Sequence, residues 1–479
     1  MSYRSSPTLE DQPEWIIEKN CLSEQVKRFR ARFAQSVEGR LGEVISARGL
    51  ERLVGEQAGE FRERLYGPVR TLELFIEQAL SADHSCQDAV ARGASTRVSL
   101  GEARGSLNTG PYCKARRRLA LGLVQHLSQE VGRRLERASP RGWFWRGRSV
   151  KLVDGATVCA PDTPENQACY PQNREQAPGL GFPLVRLVGI VSLSHGAVLD
   201  YDIGPCEGAG TGETALLWAM ADKLKSGDVV IADSYYAGYF LLARLMGMGV
   251  DVVVRQHSAR HTDFRRGQRL GPRDHLVDWR RPPRPAWMDE STYAQMPATL
   301  RLREVRAGGW TVVSSLTNAT KVSKQELLEL YRSRWQIELD LRAIKTVMQM
   351  DMLRCKSPEM IKKEIAVYLL AYNLVRAIMA RAALGVGLVP RQLSFKGAMQ
   401  TLNAFHDVLR HAPAARCSIM RAHVLGAIGT QKLPDRPPRS EPRAVKRRNK
   451  THPRLSQPRR VLRAKLRPPP QRSKIAGLR

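Results

Sequence analysis

The sequence predicts an α/β protein, and two neighbouring stretches of the chain carry that prediction. Residues 228–232 form a short apolar run of the kind found in strands that are buried on both faces. The helical pattern YYAGYFLLARLMGMG follows, and residues 250–255 form a second apolar strand. A strand, a helix and a strand in close succession indicate a sheet covered by helices. The chain has 479 residues, 42% of them hydrophobic, so it can bury a sizeable core.

The charge of the chain predicts a polyanionic partner. The sequence contains 77 Lys and Arg residues against 46 Asp and Glu residues, a formal net charge of +31. A nucleic acid and an anionic membrane surface both fit this charge. The most apolar stretch, residues 365–388, is interrupted by Arg376 and Arg381, so we expect no membrane-spanning segment. Nucleic acid is therefore the favoured partner.

Two further features of the sequence favour a cytoplasmic protein. The first residues, MSYRSSPTLEDQPEW, are polar and lack the apolar region of a secretory signal. The eight cysteines are scattered without a Cys-x-x-Cys pair or neighbouring His ligands. This distribution is typical of reduced, structural thiols.

Residues 1–140 are dominated by helical patterns such as LSEQVKRFRARFAQSV and VRTLELFIEQAL, so we expect an all-α domain. Within it, a turn at residues 106–111 places Pro111 at the first position of a helix. The basic residues in the first turns of this predicted helix are Arg116, Arg117 and Arg118. A helix-turn-helix protein inserts the start of its second helix into the major groove, so these arginines are candidate DNA-binding residues. An ordinary cationic helix surface is the alternative.

Residues 141–384 contain the predicted sheet, and two aspartates follow its strands. A strand at residues 150–153 ends at Asp154, and the strand at residues 228–232 ends at Asp233. Functional groups of such sheets collect at the carboxyl ends of the strands. We therefore expect Asp154 and Asp233 to lie at a functional site.

The remaining segments differ from the predicted sheet in composition and in predicted secondary structure. Residues 256–322 are rich in Arg and Pro and contain a predicted hairpin, residues 299–306 and 310–316, which indicates an antiparallel β-rich insertion. Helical patterns continue through residues 385–430. Residues 431–479 contain 17 Lys and Arg residues and 2 acidic residues, with frequent prolines. We expect this last segment to be a disordered basic tail.

One long helix is predicted at residues 323–350, where Ser323 and Glu326 have the spacing of a capping box. At about 100° per residue, four polar residues would share an arc of roughly 60° on one face of this helix. They are Tyr331, Arg334, Glu338 and Lys345. A solvated, salt-bridged helix face is the simplest interpretation. A different interpretation requires further carboxylates that join Glu338.

Three carboxylates can be combined into a metal site. If Asp154, Asp233 and Glu338 meet in the fold, their mutual repulsion must be offset, and hard divalent cations with oxygen ligands do so. Two Mg²⁺ ions held by three carboxylates can activate a water or a 3′-hydroxyl in phosphodiester chemistry. The cationic residues beside Glu338 would then bind backbone phosphates of a nucleic acid.

At these residues the chain resembles a known protein family. The spacing Tyr-x2-Arg-x3-Glu-x6-Lys at residues 331–345 is similar to the signature of bacterial insertion-sequence transposases of the DDE type, in the "insertion sequence four" family. Asp154 in LVDGATV and Asp233 in VVIADSYYAGYF resemble the first and second catalytic aspartates of that family. The resemblance extends over residues 86–383. It includes the stretches SLNTGPYCKARRRL, GGWTVVSSLTNATKVSKQELLELYRSRWQIE and LRCKSPEMIKKEIAVYLLAYNLVR.

The resemblance implies a DNA transposase with an RNase H-like catalytic core in residues 141–384, in which the β-rich insertion precedes the helix bearing Glu338. It implies that Asp154, Asp233 and Glu338 bind two Mg²⁺ ions, for which Mn²⁺ can substitute. It also implies that three residues contact DNA near the cleaved end, namely Tyr331, Arg334 and Lys345.

Two tryptophans are candidates for stacking on an unpaired base at the transposon end. Trp310 lies in the insertion and Trp335 lies in the long helix. Ordinary core packing is the alternative for both side chains.

The partners implied by the resemblance are double-stranded DNA, both the terminal inverted repeats and the target, and a second copy of the chain. Relatives act as homodimers across paired ends, and the expected location is the cytoplasm, at the nucleoid. Two other functions fit the residues as well. One is an RNase H-like nuclease or resolvase that cuts without joining, and the other is a catalytically decayed DNA-binding protein. The basic tail either adds salt-sensitive DNA affinity or is an accident at the edge of the element.

Overall fold

The structure, a computed structural model, describes residues 65–99, 101–208, 210–411, 414–434 and 455–466. The expected helical pattern LSEQVKRFRARFAQSV lies outside the described residues, as does the rest of the chain before Leu65. Most of the predicted C-terminal tail also lies outside them.

Among the described residues, four helices precede the first strand, helices and strands are mixed in the middle, and six helices follow the last strand. The helices are α1 (Pro68–Leu80), α2 (Cys86–Ser99), α3 (Gly110–Arg118), α4 (Leu121–Ala138), α5 (Pro164–Cys169), α6 (Glu213–Met220), α7 (Tyr239–Gly247), α8 (Glu290–Gln295), α9 (Lys324–Arg332), α10 (Trp335–Arg342), α11 (Pro358–Gly385), α12 (Phe395–His411), α13 (Ala414–Gly429) and α14 (Arg459–Leu466). The strands are β1 (Val150–Cys159), β2 (Leu184–Ser192), β3 (Val198–Pro205), β4 (Val229–Ala232), β5 (Asp251–Arg255), β6 (Gln268–Gly271), β7 (Asp274–Arg280), β8 (Thr299–Ala307) and β9 (Trp310–Ser314).

The described strands form one nine-stranded sheet in the order β3-β2-β1-β4-β5-β9-β8-β7-β6. Strand β4 runs parallel to its neighbours β1 and β5, and every other neighbouring pair is antiparallel. The predicted α/β class is confirmed, in the form of a large and mostly antiparallel sheet. The hairpin predicted within residues 256–322 is present as β8 and β9, and it extends the sheet beyond β5.

Alternate residues of the central strands enter two different hydrophobic cores. Leu152 of β1 and Ile231 of β4 belong to the larger core, which includes residues of α1, α4 and α11. Val153 and Val230, their neighbours in sequence, belong to a second core with α6 and α7. Because successive side chains of a strand point to opposite faces, both faces of the central sheet are covered by helices.

Helix α4 packs directly on β3, where a Cβ atom on Gly132 would meet the carbonyl oxygen of Val198, and α11 joins the two elements. The side-chain amide of Asn373 donates hydrogen bonds to the carbonyl oxygens of Ser128 in α4, at 2.9 Å, and Val198 in β3, at 2.8 Å. Helix α11 has the length and apolar composition of a membrane span, yet 89% of its apolar window is buried inside the protein. The apolar character of α11 therefore serves core packing. The domain boundary at residue 140 stays a prediction.

The prediction of a single helix at residues 323–350 is wrong, although the predicted start of the helix is confirmed. Ser323 and Glu326 form the predicted capping box at the start of α9. The hydroxyl of Ser333 donates to the carbonyl of Leu330 at 2.6 Å, and the chain tightens into a turn that separates α9 from α10. Serine side chains that bond to the preceding turn bend helices in this way. A π-helical turn then occupies Ala343–Val347.

The tail expected to be disordered contains one ordered element among its described residues. Helix α14 occupies Arg459–Leu466, and its first residue contacts Asp162 in the loop after β1, at 3.6 Å. For this short stretch the prediction of disorder is wrong. The basic composition alone could not reveal a helix that is held by a tertiary contact.

Candidate active site

The register of two parallel strands brings the two predicted aspartates together. Leu152 of β1 lies opposite Ile231 of β4, so the positions two residues further along are Asp154 and Asp233. Neighbouring strands are about 4.8 Å apart, and the two carboxylates therefore extend from adjacent chain segments. Asp233 is held by a local hydrogen bond, because its Oδ1 accepts from the backbone N–H of Tyr235 at 2.8 Å.

Asp154 lies in a half-buried position among other charges. Its Oδ1 accepts a hydrogen bond from the backbone N–H of Gly155 at 2.8 Å, and its Oδ2 is 3.4 Å from Arg334 Nη1. Burial raises the pKa of Asp154 to about 6. The N–H of Gly155 and the charge of Arg334 oppose this shift in pKa, whereas the charges of Asp233 and Glu213 add to it. Asp154 therefore lies in a group of carboxylates.

Glu338 joins this group through Arg334. The second terminal nitrogen of the Arg334 guanidinium pairs with Glu338 Oε1, so one cation binds both Asp154 and Glu338. Burial alone would lower the pKa of Arg334, but the hydrogen bond and charge of Glu338 raise it above its usual value, with smaller contributions from Tyr331 and Asp154. This ion pair supports the predicted meeting of Glu338 with Asp154.

A buried ion-pair network fixes the helix that carries Glu338. Asp340 in α10 is fully buried, and its carboxylate accepts hydrogen bonds from Arg391 at 2.7 and 2.6 Å and from Tyr372 at 3.0 Å. Arg376 of α11 contacts the same carboxylate. Helix α10 is thereby held to α11 from inside the core. Glu338, two residues earlier, is exposed.

The carboxylates fit a divalent cation by chemistry, although they are not arranged as a closed metal site. Asp154, Asp233 and Glu338 offer only oxygen ligands, which Mg²⁺ and Mn²⁺ prefer. Among the described residues, no three His, Cys, Asp or Glu side chains lie close enough together to hold a metal ion. The guanidinium of Arg334 lies between Asp154 and Glu338 instead. A cation bound by both carboxylates would have to replace Arg334.

The other residues of the predicted signature occupy different environments. Tyr331 is buried, and burial raises its pKa, while the charges of Arg334 and Arg255 act in the opposite direction. Lys345 lies in the π-helical turn near Cys159 at the end of β1, where its charge lowers the pKa of the thiol against the larger effect of burial. The structure therefore groups Tyr331 and Arg334 with the carboxylates, and it places Lys345 farther along β1.

The two predicted stacking residues differ in exposure. The ring of Trp310 is half-buried and lies 5.3 Å from the ring of Tyr331, so Trp310 packs against a residue of the signature. Trp335 is 51% exposed and directly follows Arg334. The core-packing alternative is therefore wrong for Trp335. Its role in stacking stays a prediction.

The predicted DNA-binding role is wrong for Arg116. Its guanidinium is buried, with Nη1 3.0 Å from Cys86 Sγ, Nη2 3.0 Å from Cys355 Sγ and the ring of Phe75 at 4.0 Å. Such a side chain cannot reach a phosphate without loss of these core contacts. The helix is also shorter than predicted, because α3 ends at Arg118 and the three arginines form its last turn. The exposed pair Arg117 and Arg118 stays a candidate for DNA contact.

Glu213 is a carboxylate of this site that the sequence patterns did not single out. A Cβ atom on Gly155 would lie 2.3 Å from the carboxyl group of Glu213, so this carboxylate lies directly over the backbone next to Asp154. Glu213 Oε2 also accepts a hydrogen bond from the hydroxyl of Tyr236 at 3.1 Å. Its position at the start of α6, after a glycine-rich turn, was the available signal. Many acidic residues begin helices, so that signal was not specific.

The chain is similar to a family model, to several bacterial proteins and, more distantly, to a solved structure. Residues 145–374 match the family model described as "Transposase DDE domain". The transposase InsG for insertion sequence element IS4 from Escherichia coli K12 is 28% identical over 348 residues, which is 70% of this chain and 76% of that protein. The transposase for insertion sequence element IS421 from Escherichia coli is 34% identical over 71 residues, 15% of this chain and 19% of that protein. Among solved structures, the piggyBac transposase synaptic complex with hairpin DNA is 10% identical, with a TM-score of 0.42 and coverage of 86% of each chain.

Proposed function

We propose that this chain is a DNA transposase of the DDE type, in the insertion-sequence-four family, and that Asp154, Asp233 and Glu338 are its catalytic residues. The observation that carries this proposal is the position of the three carboxylates. Two of them follow from the register of β1 and β4, and the third is tied to the first by Arg334. Two Mg²⁺ ions, or Mn²⁺ in their place, would be held by these residues and would activate a water or a 3′-hydroxyl for attack on a phosphodiester.

The proposed catalytic core is RNase H-like. Strands β3, β2 and β1 are antiparallel, and the parallel strands β4 and β5 continue the same sheet with helices on both faces. The antiparallel strands that follow β5 precede the helix that carries Glu338, as the proposed insertion would. We propose residues 141–384 as the catalytic domain, with the preceding helices as a DNA-binding domain.

The proposed DNA contacts follow from charge and exposure around the carboxylates. Arg334 would exchange its two carboxylates for a phosphate near the cleaved end, since its planar fork binds either anion. The phenol of Tyr331 lies beside Arg334, and Lys345 would bind phosphates farther along β1 as a point charge. Trp335 would stack on an unpaired base, whereas Trp310 would support Tyr331.

The reaction proposed is cleavage at the transposon ends followed by transfer of the freed 3′-hydroxyl to target DNA. The substrate would be double-stranded DNA in the cytoplasm, at the nucleoid, and two copies of the chain would act on paired ends. The last point rests on the family alone.

A strand-transfer assay tests the proposal. Full-length protein would be incubated with Mg²⁺, target DNA and a pre-cleaved end that has a free 3′-hydroxyl. We expect joined products, and we expect Asp154→Asn, Asp233→Asn and Glu338→Gln each to abolish them. Asp222→Asn, which removes an exposed carboxylate after α6, is the matched control. Cleavage without joining would favour the nuclease alternative. Activity that survives all three substitutions would overturn the catalytic assignment, and a wild-type protein that binds DNA without cutting it would favour a decayed transposase.

A further inference from the structure

Helix α14 is held on the surface by its first turn. The guanidinium of Arg459 is 3.6 Å from Asp162 and lies over the ring of Phe182 at 5.1 Å. Pro458, immediately before the helix, lies against Gly179, where a Cβ atom would meet the proline ring at 3.1 Å. Gly179 also has a φ of +78°, a conformation that favours glycine. These contacts attach α14 to the segment that connects β1 with β2.

The side of α14 that does not dock is basic. Arg460 and Arg463 are both exposed, and residues three apart lie on the same face of a helix. Lys465 is also exposed, but its ammonium group donates to Gln457 Oε1 at 2.8 Å. Arg459 is the residue that docks the helix, so Arg460 and Arg463 form an outward cationic pair.

Strand β1 and the loop after it lead from the proposed active site to the residues that hold α14. From Asp154, β1 continues for five residues to Cys159, a rise of about 17 Å. The backbone of Cys159 pairs with Asp351 and Leu353 at 2.9 Å each, just after the turn that contains Lys345. Beyond it, the hydroxyl of Thr163 donates to the carbonyl of Lys356 at 2.9 Å, and Asp162 holds α14.

The rise of β1 beyond Asp154 corresponds to a short length of DNA duplex. Successive phosphates of one strand are about 3.4 Å apart along the axis of B-DNA, so about 17 Å corresponds to about five base pairs. A duplex whose end lies at Asp154 and which runs along β1 past Lys345 would continue toward Asp162 and the helix that this residue holds.

We infer that α14 is a second phosphate-binding element for the duplex held at the catalytic carboxylates. Arg459 positions the helix, and Arg460 and Arg463 bind the DNA backbone without reading its sequence. The inference rests on the proposed function, because the direction of the duplex is set by Asp154 and Lys345. It assigns a task to a part of the basic tail, and it requires an ordered helix where composition predicts disorder.

The salt dependence of DNA binding tests the inference. The affinity of the full chain for a transposon-end duplex would be measured by fluorescence anisotropy across a range of KCl concentrations. Each phosphate contact adds about 0.9 to the magnitude of the negative slope of log K against log salt concentration. The double variant Arg460→Gln/Arg463→Gln should therefore reduce that magnitude by about 1.8. The charge-conserving variant Arg460→Lys/Arg463→Lys should keep the wild-type slope. An unchanged slope in the Gln variant would overturn the inference.

The position of the contact gives a second readout. Ethylation of phosphates about five or more base pairs from the cleaved phosphate should interfere with binding of the wild-type protein and should not affect the Gln variant. If the Gln variant instead lost interference at the phosphates next to the cleaved phosphate, that result would contradict the placement of α14. Binding to anionic phospholipid vesicles that requires Arg460 and Arg463, with DNA affinity unchanged, would assign the helix to a membrane and overturn the inference.

The two proposals fail in different ways. If the catalytic assignment is wrong, joined products are absent or survive the carboxylate substitutions, while the change in salt slope still reports on α14. If the inference is wrong, the Gln variant binds with the wild-type slope and interference pattern, while the wild-type protein still joins DNA.

Discussion

The guanidinium of Arg334 lies 3.4 Å from the carboxylate of Asp154, across 180 residues of sequence. The same guanidinium pairs with Glu338, one helical turn away on the same segment. An arginine thus occupies the space between two carboxylates that are proposed to share divalent cations. This relationship makes the binding of metal, of DNA phosphate and of Arg334 interdependent.

Arg334→Gln should raise the affinity of the DNA-free protein for a divalent cation. The substitution removes a cation that competes for Asp154 and Glu338, and a partly exposed ion pair contributes up to about 1 kcal/mol, or about fivefold in affinity. Binding of Mn²⁺ would be followed by electron paramagnetic resonance. Arg342→Gln, at an exposed position in helix α10, is the control and should bind Mn²⁺ as the wild-type protein does. Weaker Mn²⁺ binding by the Arg334 variant would contradict the competition.

Asp154→Asn should stabilise the metal-free protein at neutral pH. Burial raises the pKa of Asp154 to about 6, so the folded state disfavours the charged form. For a group with a raised pKa, the stabilising contribution is fully present below the ordinary carboxyl pKa and is lost as pH rises through about 6. The neutral amide side chain of the variant avoids that loss. We therefore expect the free energy of unfolding of the variant at pH 7 to exceed that of the wild-type protein by about 2 kcal/mol. Urea unfolding with a chelator measures it.

The pH dependence of this difference is its internal control. At a pH near 4, Asp154 is protonated in the folded state, and the variant and the wild-type protein should differ little. An equal gain at both pH values would mean that the pKa of Asp154 is not the cause.

Glu213→Gln should weaken divalent cation binding without unfolding the protein. The amide removes a negative charge that lies over Gly155 beside Asp154, and it can still accept the hydrogen bond from Tyr236. With one charge fewer near it, the pKa of Asp154 should move down toward its ordinary value. Titration of the Asp154 carboxyl carbon by NMR and Mn²⁺ binding would measure the two effects. Asp222→Asn should change neither, and an unchanged Asp154 pKa in the Glu213 variant would refute the coupling.

Trp335→Ala and Trp310→Ala should separate DNA contact from packing. Trp335 is 51% exposed, so its loss should leave the melting temperature nearly unchanged but weaken quenching of a 2-aminopurine base at the transposon end. Trp310 is half-buried against Tyr331, and its loss should lower the free energy of unfolding by about 1 to 3 kcal/mol. A Trp335 variant that is destabilised while the fluorescence response is unchanged would assign that residue to packing.

The features that sequence predicted correctly are those determined by short-range patterns. Asp233 directly follows the apolar run of β4, as predicted. The predicted strand end at Asp154 is wrong, because β1 pairs with β2 as far as Cys159 and Asp154 lies in the middle of it. The start of α9 follows from Ser323 and Glu326, which satisfy each other's backbone groups within one turn. The α/β class follows from the same local periodicities.

Only the tertiary structure decided which of the other polar residues meet. Arg116 resembles a surface arginine in sequence, yet Cys355, 239 residues away, and Phe75 enclose it in the core. Glu213 comes to Asp154 because the glycine at position 155 leaves room for its carboxylate. The approach of Arg334 to Asp154 depends on the register of β1 and on the bend at Ser333. Periodicity defines which face a residue occupies within its own element, whereas these contacts depend on how distant elements pack, and that information is distributed over the whole chain.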